Sequence, residues 1–249
     1  MYYKKALRSE FKARNGLMVI GPATTISKLT ATNYERISQA NGPDKAKNTS
    51  CIIRKGPWRG KRIYVLTLEE GTTCPDSCPL NVPPPLPPAR TREKGVACYG
   101  ANMPFAVRMD HQSSDFEKCL IQDLSLLATR HPDGFVIRLH ELGDFFSVEY
   151  VEFWRSMLDS FENLHIFGYS HCNGAIGKAL DNLQFDHPDR FRIMTSDDTV
   201  LSDVRPSARV SGETIKHYVT CPQQEKRTPS CITCGLCMNG RTHIRFLPH

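Results

Sequence analysis

Ten cysteines in 249 residues carry most of the chemistry this chain can offer. The tightest group is Cys231-Ile232-Thr233-Cys234-Gly235-Leu236-Cys237, with Cys221-Pro222 ten residues ahead of it. Three thiolates at two-residue separations can wrap neighbouring corners of one iron–sulfur cubane, and a fourth from a nearby turn, here Cys221, closes the set. Tetrahedral zinc also takes four thiolates, but zinc knuckles usually draw them from two well-separated Cys-x-x-Cys pairs. The spacing therefore favours a [4Fe-4S] cluster, with zinc and then unligated thiols as the alternatives.

A second group, Cys74-x3-Cys78 with the distant Cys98 of Cys98-Tyr99-Gly100, follows a strongly β-forming stretch. Three ligands are one short of a closed site, so a cluster held there would keep one iron open to substrate, cofactor or solvent. Zinc fixing the loop, or one cysteine as a spectator, fits the same spacing. If the two groups meet, seven thiolates serve two clusters, or one cluster with cysteines in reserve. Of the isolated cysteines Cys51, Cys119 and Cys172, Cys119 falls within a helical pattern and reads as core, whereas Cys172 follows a strand end and can line a site.

Other reactive side chains gather where strands end. Arg138, His140, Glu141 and Asp144 place a cation, an imidazole and two carboxylates within seven residues. Arg138 and His140 share a face by strand alternation, where they can bind a carboxylate, a phosphate or a nucleobase edge. Asp144, His140 and Arg138 are thus the catalytic candidates. Asp144 can instead cap the next helix, as can Ser147, with Tyr150 and Trp154 anchoring its buried face. Ser170 and Thr195 are cofactor-binding candidates by position, with His171, Asp197 and Asp198 nearby.

The elements that must position these groups alternate. Arg62–Leu68 is β-branched and aromatic enough for a core strand, and 135–140, 164–169, 191–195 and 215–220 follow the same pattern. Between them 115–130, 148–161 and 175–183 read as helices, the first with Phe116, Leu120, Leu124 and Leu127 at three- to four-residue spacing. Alternating strands and helices imply an α/β fold with a parallel sheet, and loops after the carboxyl ends of such strands build the site. The expected architecture is a parallel β/α barrel-like, TIM-barrel-like domain, complete or partial, over 61–249. An irregular basic extension over 1–60 precedes it, and cysteine-rich loops interrupt it. Six of the ten residues from Pro79 to Pro88 are proline, which makes that run an extended spacer or a partner-binding segment. No Gly-x-Gly-x-x-Gly, Walker loop or Gly-x-Ser-x-Gly elbow is present.

Composition sets the outer limits. With 40% hydrophobic and 23% charged residues the chain is globular, not coiled coil, collagen-like or mostly disordered. No stretch reaches the ~20 apolar residues that span a bilayer, and no apolar signal core follows the N-terminus. A cytoplasmic protein without a membrane role is expected, in which clustered cysteines are metal ligands or catalytic thiols rather than a disulfide framework. Residues 1–62 hold fourteen Lys and Arg against three acids, whereas the remainder holds eighteen against twenty-three. That basic end is a candidate nucleic-acid contact or simply a solvated leader.

The ordered motifs Thr73-Cys74-Pro75, Cys78, Cys98-Tyr99, Gly143-Asp144-Phe145-Phe146-Ser147, Tyr169-Ser170, Cys221-Pro222, Cys231, Cys234, Cys237, Ile244-Arg245-Phe246 and His249 resemble the phage gene-product-eighty-eight-like family over roughly 60–249. The resemblance implies a viral or prophage origin, hence a host-cell cytosol, and no particular reaction. A strand leading into Cys-x3-Cys and a later Cys-Tyr is more remotely similar to the start of the radical S-adenosylmethionine barrels. There, three cysteines hold a [4Fe-4S] cluster whose fourth iron chelates S-adenosylmethionine. Cys98 lies twenty residues beyond Cys78, where that superfamily keeps its third ligand close behind the second. The expectation is a viral iron–sulfur protein with a small-molecule site, for a nucleobase or nucleotide, beside the cluster. Its chemistry would be Lewis-acid, sulfur-transfer or radical. The rival is a zinc-stapled protein that binds nucleic acid or a host partner without catalysis.

Overall fold

The computed structural model describes residues 6–11, 16–22, 52–76, 78, 107–196, 202–228 and 231–248. The proline run, Cys51, Cys98, Asp197, Asp198 and His249 lie outside them. In chain order the elements are β1 (Ala6–Arg8), β2 (Gly21–Pro22), β3 (Arg62–Leu66), β4 (Val107–Met109), α1 (Phe116–Arg130), β5 (Phe135–Leu139), α2 (Val148–Ser160) and β6 (Leu164–Ser170). They continue with α3 (Gly174–Asp186), β7 (Phe191–Thr195), β8 (Ala208–Val210), β9 (Tyr218–Thr220), the single turn α4 (Cys231–Cys234), a 3-10 turn Leu236–Met238, and β10 (His243–Phe246).

The main sheet runs β2-β3-β5-β6-β7, with β3, β5, β6 and β7 parallel and in sequence order. Strand alternation divides its side chains between two faces. On one face Tyr64, Leu66, Phe135, Ile137, Leu139, Leu164, Ile166, Phe191 and Ile193 pack against the helices. Helix α1 contributes Leu120, Leu124 and Leu127, all fully buried, each worth about 2 kcal/mol by transfer from water. On the other face Ile63, Val65, Val136 and Phe167 meet Ile53, Trp58, Ile232 and Met238, so the cysteine-bearing C-terminal segment and the 52–60 segment together cover the sheet face opposite the one that α1 packs on.

The expected α/β class and parallel order are present. Closure is not: among the described residues the strands form separate sheets. A β8-β10-β9 sheet joins β7 only through the Thr195–Ser207 bridge, and a β1-β4 pair joins the β3 side only through Leu68–Met109. A ring needs continuous ladders between first and last strands, and the described edges supply single bridges instead.

The described parts of 1–60 are woven into the domain. Leu17, Val19 and Ile20 are core residues, and Asp123 of α1 accepts hydrogen bonds from the amides of Met18, Val19 and Ile20. The boundary near residue 60 therefore runs through packed structure, which composition and charge alone did not show. Among the described residues no helix is long and apolar enough to cross a membrane.

Candidate metal centre and strand-end network

The cysteine turn is shaped by one glycine. Helix α4 ends when the Gly235 amide donates to the Cys231 carbonyl, and Gly235 then takes φ 67°, which an L side chain tolerates poorly. A Cβ at that position would lie 2.6 Å from the Lys55 carbonyl oxygen, so the turn also needs glycine for its close approach to the 52–60 segment. The Arg54 amide donates to Ile232 O at 2.9 Å, and the Arg192 guanidinium donates to Met238 O while lying 5.0 Å over the Trp58 ring. Buried Ile232 and Met238 anchor the turn on the sheet. Cys221 arrives separately, its amide donating to Arg245 O at 2.8 Å just after β9.

These anchors bring Cys221, Cys231, Cys234 and Cys237 around one cavity of about 30 Å³, whose wall also includes Phe167, Tyr169 and Ile244. Burial pushes the Cys231 thiol up to about 12 and the Cys237 thiol up to about 11, and the neighbouring thiols push the same way. Arg138 opposes the rise at both, and a hydrogen bond from the Tyr169 hydroxyl opposes it at Cys237. Among the described residues no three His, Cys, Asp or Glu side chains are gathered as a single-ion site. The four thiols surround a space.

Arg138 belongs to this face. Its guanidinium pairs with Glu141 at 3.4 Å and lies 6.0 Å from the centre of the Tyr169 ring. His140 does not share that face, contrary to the alternation argument, because β5 ends at Leu139 and the ring turns into the helix-side core. There it lies against Phe145, and Nε2 is 3.1 Å from the Tyr150 hydroxyl. Burial lowers its pKa to about 3. It is a neutral core imidazole, separate from the Arg138 side.

Asp144 is buried and does not cap α2; the Ser147 hydroxyl does, accepting from the Tyr150 amide. Its carboxylate instead accepts from the amides of Phe145 and His171, both at 2.8 Å, and from Ser170, while its own amide donates to Thr73 Oγ1 at 3.1 Å. Burial raises the Asp144 pKa against those hydrogen bonds. The network ties the loops after β3, β5 and β6 into one unit. Ser170 sits inside it, fully buried, and accepts from the Cys172 amide. Thr195, paired in register with Ser170, is also buried, and its hydroxyl has no hydrogen-bond partner among the described residues. Both cofactor-binding candidates are thus enclosed beneath the strand ends.

Cys74 is half-buried and Cys78 buried on the loop after β3, and the third member of that group, Cys98, is outside the described residues. Cys119 is core, as its helical position implied. Cys172 points away from the cysteine cavity, donating to Phe145 O at 3.1 Å, and burial pushes its thiol well up. Tyr169 was not among the expected site residues. Its signal was its place two residues after Phe167, on the sheet face opposite Ile166. The buried fork between Arg108 and Glu70, at 2.6 and 2.8 Å, was missed too, since its partners are 38 residues apart.

No family model matches this chain. It is similar to the Gene 88 protein of Mycobacterium phage D29, 26% identical over 129 residues, and to the Gene 88 protein of Mycobacterium phage L5, 26% identical over 128 residues. Each alignment covers 45% of this chain and 54% of the relative, so the chain spans about half the length of the curated relatives it matches. No solved structure matches.

Proposed function

We propose that the protein is a phage-type iron–sulfur protein whose [4Fe-4S] cluster is held by Cys221, Cys231, Cys234 and Cys237. The observation that carries this reading is the common cavity those four thiols line. The donor set fits the group: four sulfurs, no competing carboxylate in the lining, and the Arg138 cation to offset thiolate charge. Such a cluster supplies one-electron transfer when bound. The chain's own residues enclose the site: Phe167, Ile244 and Met238 exclude water, and Gly235 and Arg192 fix the turn that presents three of the sulfurs.

Because four protein sulfurs are present, this site is closed, and a small-molecule site would lie beside it, toward Arg138 and Glu141 at the end of β5. The sequential parallel order of β3, β5, β6 and β7 is the order of a β/α barrel, and we read the domain as a partial one. Chemistry through S-adenosylmethionine forms no part of the proposal.

The smallness of the cavity leaves a second reading, in which the four thiols draw closer together than they stand here and one zinc ion staples them in a protein whose work is to bind nucleic acid or a host partner. One experiment separates them: iron, zinc and acid-labile sulfide per chain, with the visible spectrum, on anaerobically purified wild type, Cys234→Ala and Cys74→Ala. About four irons and four sulfides, lost in Cys234→Ala and kept in Cys74→Ala, are the expected result. Zinc without sulfide selects the staple, and no metal overturns both.

A further inference from the structure

We infer that the segment 52–62 presents a phosphate-contacting surface for the backbone of a double-stranded nucleic acid, an inference that holds whichever metal the cysteines take. From Ile52 to Arg62 the chain has five Lys and Arg and no Asp or Glu. The segment is folded by hydrogen bonds within itself: the Gly60 amide donates to Ile53 O at 2.8 Å, the Arg59 amide to Gly56 O at 3.2 Å and the Lys61 amide to Trp58 O at 3.1 Å. Ile53 and Trp58 are buried against the sheet, which leaves Arg54, Lys55 and Arg59 exposed around them. The turn is also held from outside. The Arg54 amide donates to Ile232 O, the Trp58 indole N–H donates to Asp189 O at 2.8 Å, and Lys55 O and Gly56 lie close against Gly235. Arg192, over the Trp58 ring, packs so near Gly240 that an added Cβ there would lie 2.9 Å from its Cδ, and the exposed Arg241 follows beside the turn.

The repulsion among these cations is not relieved from within the chain. Among the described residues Arg54, Lys55, Arg59 and Arg241 pair with no carboxylate, whereas Arg108, Arg138, Arg155, Arg205 and Arg227 all do. Asp189 is exposed nearby, but its carboxylate lies 3.8 Å from Arg192. Unpaired cations on a backbone fixed at several points match a polyanion whose charges are regularly spaced. Trp58 is 2% exposed and no other aromatic ring lies in 52–62, so the surface has no stacking platform for unpaired bases. With Ile53 and Trp58 both turned inward, it also lacks the large apolar anchors that insert into a lipid interface. What it offers is contact with phosphates, which carries no base sequence.

The test is fluorescence anisotropy of the full chain with a short labelled DNA duplex of arbitrary sequence, with an RNA duplex, single-stranded DNA and phosphatidylserine vesicles as the other probes. Wild type should bind the duplexes, and its affinity should fall about a hundredfold between about 50 and 200 mM salt, as about four phosphate contacts require. Arg54→Gln, Lys55→Gln, Arg59→Gln and Arg241→Gln should each weaken binding and reduce the salt slope by about one contact. Asp189→Asn should tighten binding, an opposite sign that loss of structure would not produce. Arg54→Lys and Arg59→Lys keep the charge and should bind as wild type does. The double variant Lys118→Gln with Lys178→Gln, on exposed positions of α1 and α3 across the sheet, should leave affinity and slope unchanged. Absence of duplex binding, binding that the four Gln variants of the turn and Arg241 leave intact, or an equal loss in the Lys118 and Lys178 double variant overturns the inference. So does a loss in the Lys variants equal to that in the Gln variants, or tighter binding of single strands or vesicles than of duplex.

Discussion

The Oδ2 atom of Asp123 lies 2.7 Å from the amide nitrogen of Val19, 104 residues away in sequence, and the same carboxylate also takes the amides of Met18 and Ile20. One buried side chain thus satisfies three consecutive main-chain donors that have no ladder partner. Asp123→Asn would keep one acceptor oxygen and turn an NH2 group toward those donors, leaving buried N–H groups unpaired at about 1–3 kcal/mol each. A loss of roughly 3 kcal/mol in urea unfolding is expected, with hydrogen exchange at residues 18–20 accelerated more than in β5 or β6. Equal acceleration everywhere would show that Asp123 stabilises the fold without specifically holding the N-terminal segment.

Acid should weaken the fold from well above the carboxylate range. Burial lowers the pKa of His140 to about 3 and that of His165 to about 4, the latter with help from the nearby Lys61 charge. Both are neutral when folded, but the unfolded chain protonates them below about 6.5. Their stabilisation is therefore complete above that value and is lost as pH falls toward the folded pKa values. His140 alone should cost about 1.4 kcal/mol by pH 5.5, and the less buried His165 somewhat less. The raised carboxyls of Asp123 and Asp144 act in the opposite sense, stabilising in acid and losing that contribution as pH rises through their folded values. Urea midpoints between pH 5 and 8 should fall with acid in wild type and fall less steeply in His140→Asn; parallel curves would refute the assignment.

What could be read from the sequence was what is local. The helix expected over 115–130 is Phe116–Arg130, the strand at 191–195 is present as expected, and Ser147 caps α2 because a hydroxyl at that position can reach the Tyr150 amide. Side-chain periodicity and cysteine spacing are properties of neighbouring residues, so they survive without a tertiary structure. Three features needed the third dimension. The core role of Leu17, Val19 and Ile20 depends on Asp123, the burial of Asp144 depends on Thr73 and His171, and the shared strand face expected for Arg138 and His140 ends with β5 at Leu139. In each case the deciding partner lies far along the chain, or the element stops one residue early, and spacing records neither.

Two glycines with similar backbone angles should respond differently to the same substitution. Gly235 has φ 67° and its added Cβ would lie 2.6 Å from Lys55 O, whereas Gly60 has φ 90° and nothing within 4 Å of that position. Gly60→Ala should cost only the left-handed backbone penalty, about 1–2 kcal/mol. Gly235→Ala should cost more, because main chain must move, and should also displace the turn bearing Cys231, Cys234 and Cys237. Thermal melts with metal analysis would check this. Equal destabilisation with full metal content in both variants would mean that the turn adapts to the Lys55 contact.

Metal removal should act on the sheet as well as on the site. Ile232 and Met238, carried between the clustered cysteines and just after them, cover Ile63, Val65, Val136 and Phe167. In the proposed metal-loaded protein, releasing the metal would free the turn that carries those two side chains, so chelation under anaerobic conditions should lower Tm and increase binding of a dye specific for exposed apolar surface. Cys172→Ala provides the contrast. It removes a buried thiol bonded to Phe145 O, away from the cavity, and should lower Tm modestly while leaving metal content and chelator sensitivity unchanged. If chelation leaves both Tm and dye binding unaltered, the turn is held by Arg192, Trp58 and its own apolar contacts alone, and the four thiols contribute nothing to keeping that face of the sheet covered.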